Sequence, residues 1–254
     1  MLYEKADGGL AWVTLNRPRV HNAMNMRMRD ELWEVAHAVR DDPDVRVVIF
    51  KGAGERAFSS GADVSEFGTA PTYVEARQAR RERDLWGFLL SMEEVLIAAI
   101  QGYALGAGME LPMCCDLRIA SEEAELGLPE VTLGYIPSAG GTQTLPRHVP
   151  PGVAMQLVLT GDRIDAETAF GWGLLHRVVP RARLYAEAEA LARTVLSRGP
   201  LAVRLAKRAV LEGIELALDD GLALASRLAA RALGSAEARE GLAAARVGRQ
   251  EGKP

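Results

Sequence analysis

Two short runs constrain this chain more than anything else in it: Val45 to Phe50 (VRVVIF) and Val95 to Ile100 (VLIAAI) are apolar along almost their whole length, and glycine follows each within two residues. A strand with one wet face alternates apolar and polar residues, whereas a strand covered on both faces has no reason to. Both runs therefore predict central strands of a sheet flanked by helices. Upstream, Gly9 to Leu15 (GLAWVTL) reads as a further strand, ended by Asn16-Arg17-Pro18 because proline has no amide for the ladder. From Met26 to Arg40 the residues Met28, Leu32, Val35, Ala36 and Val39 recur at helical spacing, and Asp41, Asp42 and Pro43 close the segment. Strand, glycine-rich loop and helix then return after Val95, with the new helix starting near Ala107. The predicted fold class is α/β, built from repeated β and α units.

With 254 residues, 48% hydrophobic and 25% charged, the chain has ordinary globular composition, far from the polar, highly charged regime that stays unfolded. Its net charge of −4 argues against a general nucleic-acid binder, which needs a basic face toward phosphates. The longest uncharged stretches, Val95 to Met109 and Val131 to Pro146, are too short to cross a membrane and hold Gly, Gln and Pro. The opening MLYEKADGG has neither the basic nor the apolar region of a secretory signal, so a cytoplasmic location is expected. Cys114 and Cys115, the only cysteines, are neighbours; this excludes a disulfide framework and predicts reduced core thiols. The histidines 21, 37, 148 and 176 fall into no ligand spacing, so no metal site is expected.

After Pro180 the pattern changes to long Ala-, Leu- and Arg-rich helical segments, roughly Ala182 to Ser197, Leu201 to Leu218, Gly221 to Leu233 and Ala236 to Val247. The division expected is a core over 1–195 and a helical region over 196–254. Amphipathic periodicity does not say which molecule supplies the partner surface, so this region either assembles copies of the chain or packs back on its own domain.

The chemistry has few places to sit. Leu105 to Leu117 (LGAGMELPMCCDL) sets the small residues Gly106, Ala107 and Gly108 at a helix start, then one carboxylate, Glu110, in an apolar run. A lone buried carboxylate is costly unless it has a partner or a task. The small residues let backbone approach a ligand while free first-turn amides point outward, where a developing oxyanion would be stabilised. No Gly-Lys-Ser/Thr follows and Leu111 occupies the third glycine position, so neither a P-loop nor a dinucleotide fingerprint is present. Glu130, twenty residues on, is again flanked by apolar residues. Either both carboxylates face one pocket and divide acid and base work, or Glu130 lies on the bend marked by Pro129 and Gly134. Ala57 to Phe67 (AFSSGADVSEF) reads as a loop offering backbone amides, Ala62 among them, with Asp63 as an N-cap. The serines 59, 60 and 138 lack a nucleophile elbow, and the basic run Arg77, Arg80, Arg81 and Arg83 reads as a solvated helix face.

Taken in order, LNRPRVHNAMN from Leu15, AFSSGADVSEF from Ala57, QGYALGAGMELPMCCDLRIA from Gln101 and LGLPEVTLGYIPSAGGTQTLPR from Leu126 resemble the enoyl-CoA hydratase/isomerase (crotonase) family, most nearly its 2-enoyl-CoA hydratases. The resemblance runs from the first strand to about Pro180 and is looser in the helical tail. It implies a crotonase-like spiral of ββα units with a C-terminal all-helical oligomerisation region that builds homotrimers, usually paired into hexamers. It also implies an acyl-CoA substrate, with coenzyme A as part of that substrate and no separate cofactor or metal. Carried over by position, the amides of Ala62 and Ala107 would form the oxyanion hole. Ala107 stands where many members have glycine, which an ordinary helical φ tolerates. Glu110 and Glu130 match the two glutamates of true hydratases, Glu110 orienting the water and Glu130 delivering the proton to C2. Gly106, Val20, Ala23, Ser60, Asp63 and Val64 would contact substrate and coenzyme A, with backbone groups around Ser60 reading the adenine. The tail from Glu240 departs from the family pattern: Ala245 replaces an aromatic residue, and Arg249 or Lys253 would have to make up lost charge. Readings to weigh against hydration are an enoyl-CoA isomerase, a hydratase for a branched or cyclic acyl group with the 66–89 segment (Gly68, Pro71, Trp86, Phe88) in its pocket wall, and an RNA-binding or scaffold protein of the same fold.

Overall fold

The computed structural model describes residues 1–68, 72, 78 and 82–250, the last five by backbone alone. Pro71, Arg77, Arg80, Arg81, Lys253 and the side chain of Arg249 lie outside the described residues. The chain forms two compact units, Met1–Arg193 and Thr194–Pro254.

The first unit is a spiral that deals consecutive strands to two sheets. The larger sheet contains β1 (Leu2–Ala6), β2 (Leu10–Leu15), β3 (Val47–Gly52), β5 (Val95–Ile100), β7 (Leu117–Ser121) and β10 (Arg177–Val179), in the order β1-β2-β3-β5-β7-β10. The smaller sheet contains β4 (Ala57–Ser59), β6 (Tyr103–Leu105), β8 (Glu125–Gly127) and β9 (Arg163–Asp165), in that order. β3 to β4, β5 to β6 and β7 to β8 each place one strand in the large sheet and the next in the small one. Pairing is parallel from β2 across to β10, with β1 antiparallel at the edge. The two apolar runs of the sequence are central here, and every residue of β5 is buried. The residues Ala57 to Ser59, read from sequence as loop, are a buried strand pairing with β6.

Helices cover this spiral. Helix α1 (Met26–Asp41) turns Met28, Leu32, Ala36 and Val39 to the core, and the Asn25 side chain caps its start by accepting from the Met28 amide at 2.9 Å. Removing such a cap costs about 1 kcal/mol. Then come α2 (Leu85–Ser91), α3 (Ala107–Met113), α4 (Gly141–His148), α5 (Pro151–Thr160), α6 (Ala166–Gly171) and α7 (Leu184–Leu196). Phe58, Leu96, Ile97, Ile100, Met109 and Leu111 are wholly buried, so the site-bearing segments between β4 and α3 rest on the core. At that packing density a lost methylene is felt, and segments resting on it have little room to drift.

The second unit holds α8 (Pro200–Gly213), α9 (Leu218–Leu233) and α10 (Ala236–Gln250). Leu205, Leu224 and Leu228 make a small core, with Leu201, Ala209 and Ala232 packed against it. Val210, Ile214, Leu218 and Leu233 are instead 64–77% exposed.

Candidate active site

The site forms where three segments meet: the turn after β4, the start of α3, and the loop between β8 and α4. Gly61 lets the first two touch. Its φ is +102°, and a Cβ there would sit 2.8 Å from the Leu105 carbonyl oxygen and 3.6 Å from the Ala107 nitrogen. Met24 pairs with Ala62 as an isolated parallel bridge, taking the Gly61 carbonyl at 2.8 Å and receiving the Asp63 amide at 3.1 Å. In a parallel bridge the intervening residue directs its own amide to the opposite side. The Ala62 N–H thus points away from Met24, and the residue before it, Gly61, is the one packed against Leu105 and Ala107. Ala107 is the first residue of α3, where no intrahelical acceptor exists. It has no positive φ, so its backbone is one that alanine adopts without cost. Among the described residues neither amide donates to another group, and both alanines are partly exposed, Ala107 between the buried Gly106 and Gly108 and Ala62 directly after the buried Gly61.

Both glutamates are brought to this place. Glu110 is 2% exposed. Its Oε1 accepts the Gly141 amide at 2.7 Å and the Ala139 amide at 2.9 Å. Bonds to a charged acceptor are worth about 1.5–3 kcal/mol each, enough to hold the carboxylate in one position. Glu130 is also buried, at 4% exposure, on a 3-10 turn (Pro129–Leu133) that Gly134 ends with φ +82°. Glu130 therefore does lie on the bend marked by Pro129 and Gly134, but its side chain is buried and not at the surface. A Cβ on Gly106 would lie 2.9 Å from Glu130 Oε1, so the glycine that begins α3 also makes room for this carboxyl. Glu130 Oε2 is buried and receives no hydrogen bond from the described residues. Burial pushes the Glu130 carboxyl above the usual carboxylate range, a rise tempered by its own backbone amide. The Tyr135 phenol is raised too, first by burial and then by the negative charge of Glu130 and Glu110.

Val20, Ala23, Ser60, Asp63 and Val64 gather on one side of Ala62. Arg17 ties them, donating from Nη1 to the Ala23 carbonyl at 2.6 Å and to Asp63 Oδ2 at 2.9 Å. Asp63 also caps the 3-10 turn Val64–Glu66 through Ser65. Its carboxyl is held below the usual range by Ser65 and Arg17. The Ser60 amide donates to the His21 carbonyl at 2.9 Å. Val20 and Val64 are 45% and 59% exposed, an apolar border to this patch. Beneath lies Asn22, wholly buried with φ +56°, whose side chain accepts the Arg17 amide and donates to the Ala53 and Ala57 carbonyls.

Residues that the sequence did not single out also serve the site. Ala139 and Gly141 position Glu110 through backbone amides, for which the only trace in the sequence is a Gly-Gly pair before a helix. Arg118, 3% exposed, donates to the Leu174, Pro112 and Cys115 carbonyls, placing a positive charge at the C-terminal end of α3, where the helix dipole favours it. His148 contacts Arg118 through Nδ1 at 3.4 Å and the Met113 carbonyl through Nε2 at 3.0 Å. Burial, then Arg118, pulls its pKa down to about 4, so it is neutral with the proton on Nε2. Cys114 and Cys115 are buried and form no disulfide, and burial followed by the Glu110 charge pushes the Cys114 thiol up to about 12. Among the described residues no group of three or more His, Cys, Asp or Glu side chains is placed to hold a metal ion, and no helix is long and apolar enough to cross a membrane.

The arrangement can therefore polarise a carbonyl between two amides while two buried carboxyls of different environment handle a water and a proton. Residues 5–248 match the family model described as enoyl-CoA hydratase/isomerase. The chain is 40% identical over 236 residues to a crotonyl-CoA hydratase of Syntrophomonas wolfei, covering 92% of this chain and 90% of that one. It is likewise 40% identical over 215 residues to an (E)-benzylidenesuccinyl-CoA hydratase of Thauera aromatica, covering 84% and 83%. An enoyl-CoA hydratase crystal structure from Bacillus anthracis superposes with a TM-score of 0.91 at 38% identity, covering 99% of this chain and 96% of that one.

Proposed function

The chain belongs to the enoyl-CoA hydratase/isomerase family and is a hydratase within it, a hydro-lyase; we propose that it adds water reversibly across the C2=C3 bond of a trans-2-enoyl-CoA at the site formed by Ala62, Ala107, Glu110 and Glu130. The observation that carries this reading is the contrast between the two carboxyls. One is pinned by two amides and the other is buried with a free oxygen. Environments that push two titratable groups apart are how a site divides acid and base roles.

In this reading the thioester oxygen lies between the Ala62 and Ala107 amides, which stabilise the enolate charge as it builds. One such donor is worth about 3–4 kcal/mol of barrier. Glu110 orients the water and takes a proton from it as the oxygen bonds to C3. Glu130, kept protonated more readily by its burial, gives its proton to C2. The pair has then gained one proton and lost one, and resets by passing it between the carboxyls or to solvent. The reverse sequence dehydrates a 3-hydroxyacyl-CoA. No metal or redox group is called for, because the thioester itself delocalises the charge at C2; coenzyme A arrives as part of the substrate.

Val20, Ala23, Ser60, Asp63 and Val64, with Arg17 beneath them, are proposed to hold the coenzyme A moiety, and Gly106 the acyl carbonyl. The exposed Val210 and Leu211 of α8 and Leu218, Leu222 and Leu233 of α9 support assembly into a homotrimer or a dimer of trimers. A cytoplasmic location, with neither nucleic acid nor membrane as partner, completes the proposal. A second reading, a hydratase dedicated to a branched or cyclic acyl group, is favoured by the Thauera relative's name.

The test is a panel of trans-2-enoyl-CoA thioesters differing in length and branching, followed by loss of the enoyl absorbance and by product mass. Gain of 18 mass units (about one water) with one class supports hydration; a panel in which no thioester gains water while 3-enoyl-CoA is isomerised overturns it.

A further inference from the structure

Phe67 and Tyr135 meet although they belong to different segments, one following Ala62 and the other following Glu130. Phe67 closes the 3-10 turn that begins directly after Ala62, its amide bonded to the Val64 carbonyl at 3.2 Å. That turn is anchored from outside by Glu66, which accepts the Met26 amide at 2.7 Å. Tyr135 follows Gly134 at the end of the Glu130 turn, its amide donating to the Glu130 carbonyl at 3.3 Å. The two rings stand edge to face, with centroids 5.2 Å apart and planes at 81°. Tyr135 lies near enough to both catalytic carboxyls for their charge to act on its phenol. Phe67 remains 49% exposed. An aromatic pair thus spans from the oxyanion segment to the proton-transfer segment, the two sides between which C1 to C3 of the acyl group must lie, and still has free ring surface.

We infer that Phe67 and Tyr135 form an aromatic flank of the acyl site that selects enoyl-CoA thioesters carrying a flat aryl or conjugated group on C3. This rests on the hydratase reading. A group conjugated with C2=C3 is coplanar with the thioester, so the reacting carbons and the substituent enter as one plate. Such a plate offers a π face and an edge to rings already set at right angles, where a saturated chain offers dispersion alone. Aromatic pairs gain beyond their buried area in these offset and edge-to-face arrangements, by about three- to ten-fold in a binding or rate ratio. The phenol oxygen plays no part in this: the ring carries the preference.

The experiment follows dehydration, in which an aryl product forms its conjugated chromophore. Wild type, Phe67→Leu, Tyr135→Leu and Tyr135→Phe are each given 3-hydroxy-3-phenylpropionyl-CoA, 3-hydroxyhexanoyl-CoA and 3-hydroxybutyryl-CoA. The expected result is a kcat/KM ratio, phenyl over propyl, above one in wild type, at least about five-fold lower in either leucine variant, and kept in Tyr135→Phe. A wild-type ratio below one, or a ratio unmoved by both leucine substitutions, overturns the aromatic flank while 3-hydroxybutyryl-CoA turnover continues to support a hydratase. Wild type that dehydrates none of the three overturns the hydratase reading and this inference together.

Discussion

Gly141 donates its backbone amide to Oε1 of Glu110 at 2.7 Å, and the same glycine leaves the space in which that carboxylate lies. A Cβ at this position would come within 2.9 Å of Oε1 and 3.1 Å of Cγ. Gly141→Ala is therefore expected to keep the α4 backbone, since its φ is an ordinary one, yet to push Glu110 aside. A displacement near 1 Å of a reacting group costs up to about 10²-fold in rate. Steady-state kinetics should show kcat falling at least ten-fold, a figure on the order of half that logarithmic range, with a melting temperature close to wild type.

Glu110→Gln and Glu130→Gln change charge and proton capacity while keeping shape. The glutamine oxygen at 110 can still accept the Ala139 and Gly141 amides, so the fold around it should survive. Hydration is expected to drop by about 10²-fold or more in each, with acyl-CoA affinity, measured by calorimetry, little changed. Near-normal turnover in either variant would falsify the two-carboxylate assignment.

Burial raises the Glu130 carboxyl, and the consequences have definite signs. In the proposed mechanism dehydration requires an ionised Glu130 to take the C2 proton. The acid limb of kcat/KM should accordingly lie above the ordinary carboxylate range and vanish in Glu130→Gln. For stability, a raised folded-state value favours the fold below the unfolded-state value near 4.5 and loses that benefit as pH rises through the folded-state value. Glu130→Gln should be more stable than wild type at pH 7, and the gain should disappear in acid; equal melting temperatures at both ends would count against it.

At the other end of α4, His148 bonds the Met113 carbonyl that ends α3, so these two helices are tied at both ends, Glu110 to Gly141 and Met113 to His148. His148→Leu strips partners from Met113 and Arg118 and is expected to cost about 1–3 kcal/mol. His148→Gln can donate to one and accept from the other and should recover most of it. Because the folded-state pKa is depressed to about 4 from 6.5, the neutral ring's contribution is full above 6.5 and lost as pH falls through 4. Denaturant unfolding of wild type across that window should show the loss, and the glutamine variant should lack the His148 share of it.

How much of this was legible beforehand depends on the range of the forces involved. The uninterrupted β5 run and the Met28, Leu32, Ala36 and Val39 stripe of α1 were readable because burial imposes a periodicity on consecutive residues. β4 reads as loop in the sequence, since three residues are too few to show a period and what makes them a strand is β6, more than forty positions away. β1 was not anticipated for a related reason: Glu4 and Lys5 in an exposed edge strand give no apolar pattern, and pairing with β2 alone defines it.

The same division holds at the site. The sequence by itself determined which groups were available: two isolated carboxylates, small residues at a helix start, and a motif order that names a family. It left Glu130 between pocket and surface turn, because a side chain's burial is a property of what packs over it. Only the tertiary structure decided that Glu130 lies under Gly106, that Ala139 and Gly141 reach Glu110, that Arg118 and His148 seal the far end of α3, and that Phe67 meets Tyr135. Most of these join residues far apart in the chain, as Glu110 with Gly141 and Met113 with His148. Backbone amides carry no residue identity that a sequence could disclose, and long-range contacts arise from the stacking of whole units, so their geometry is written in the fold.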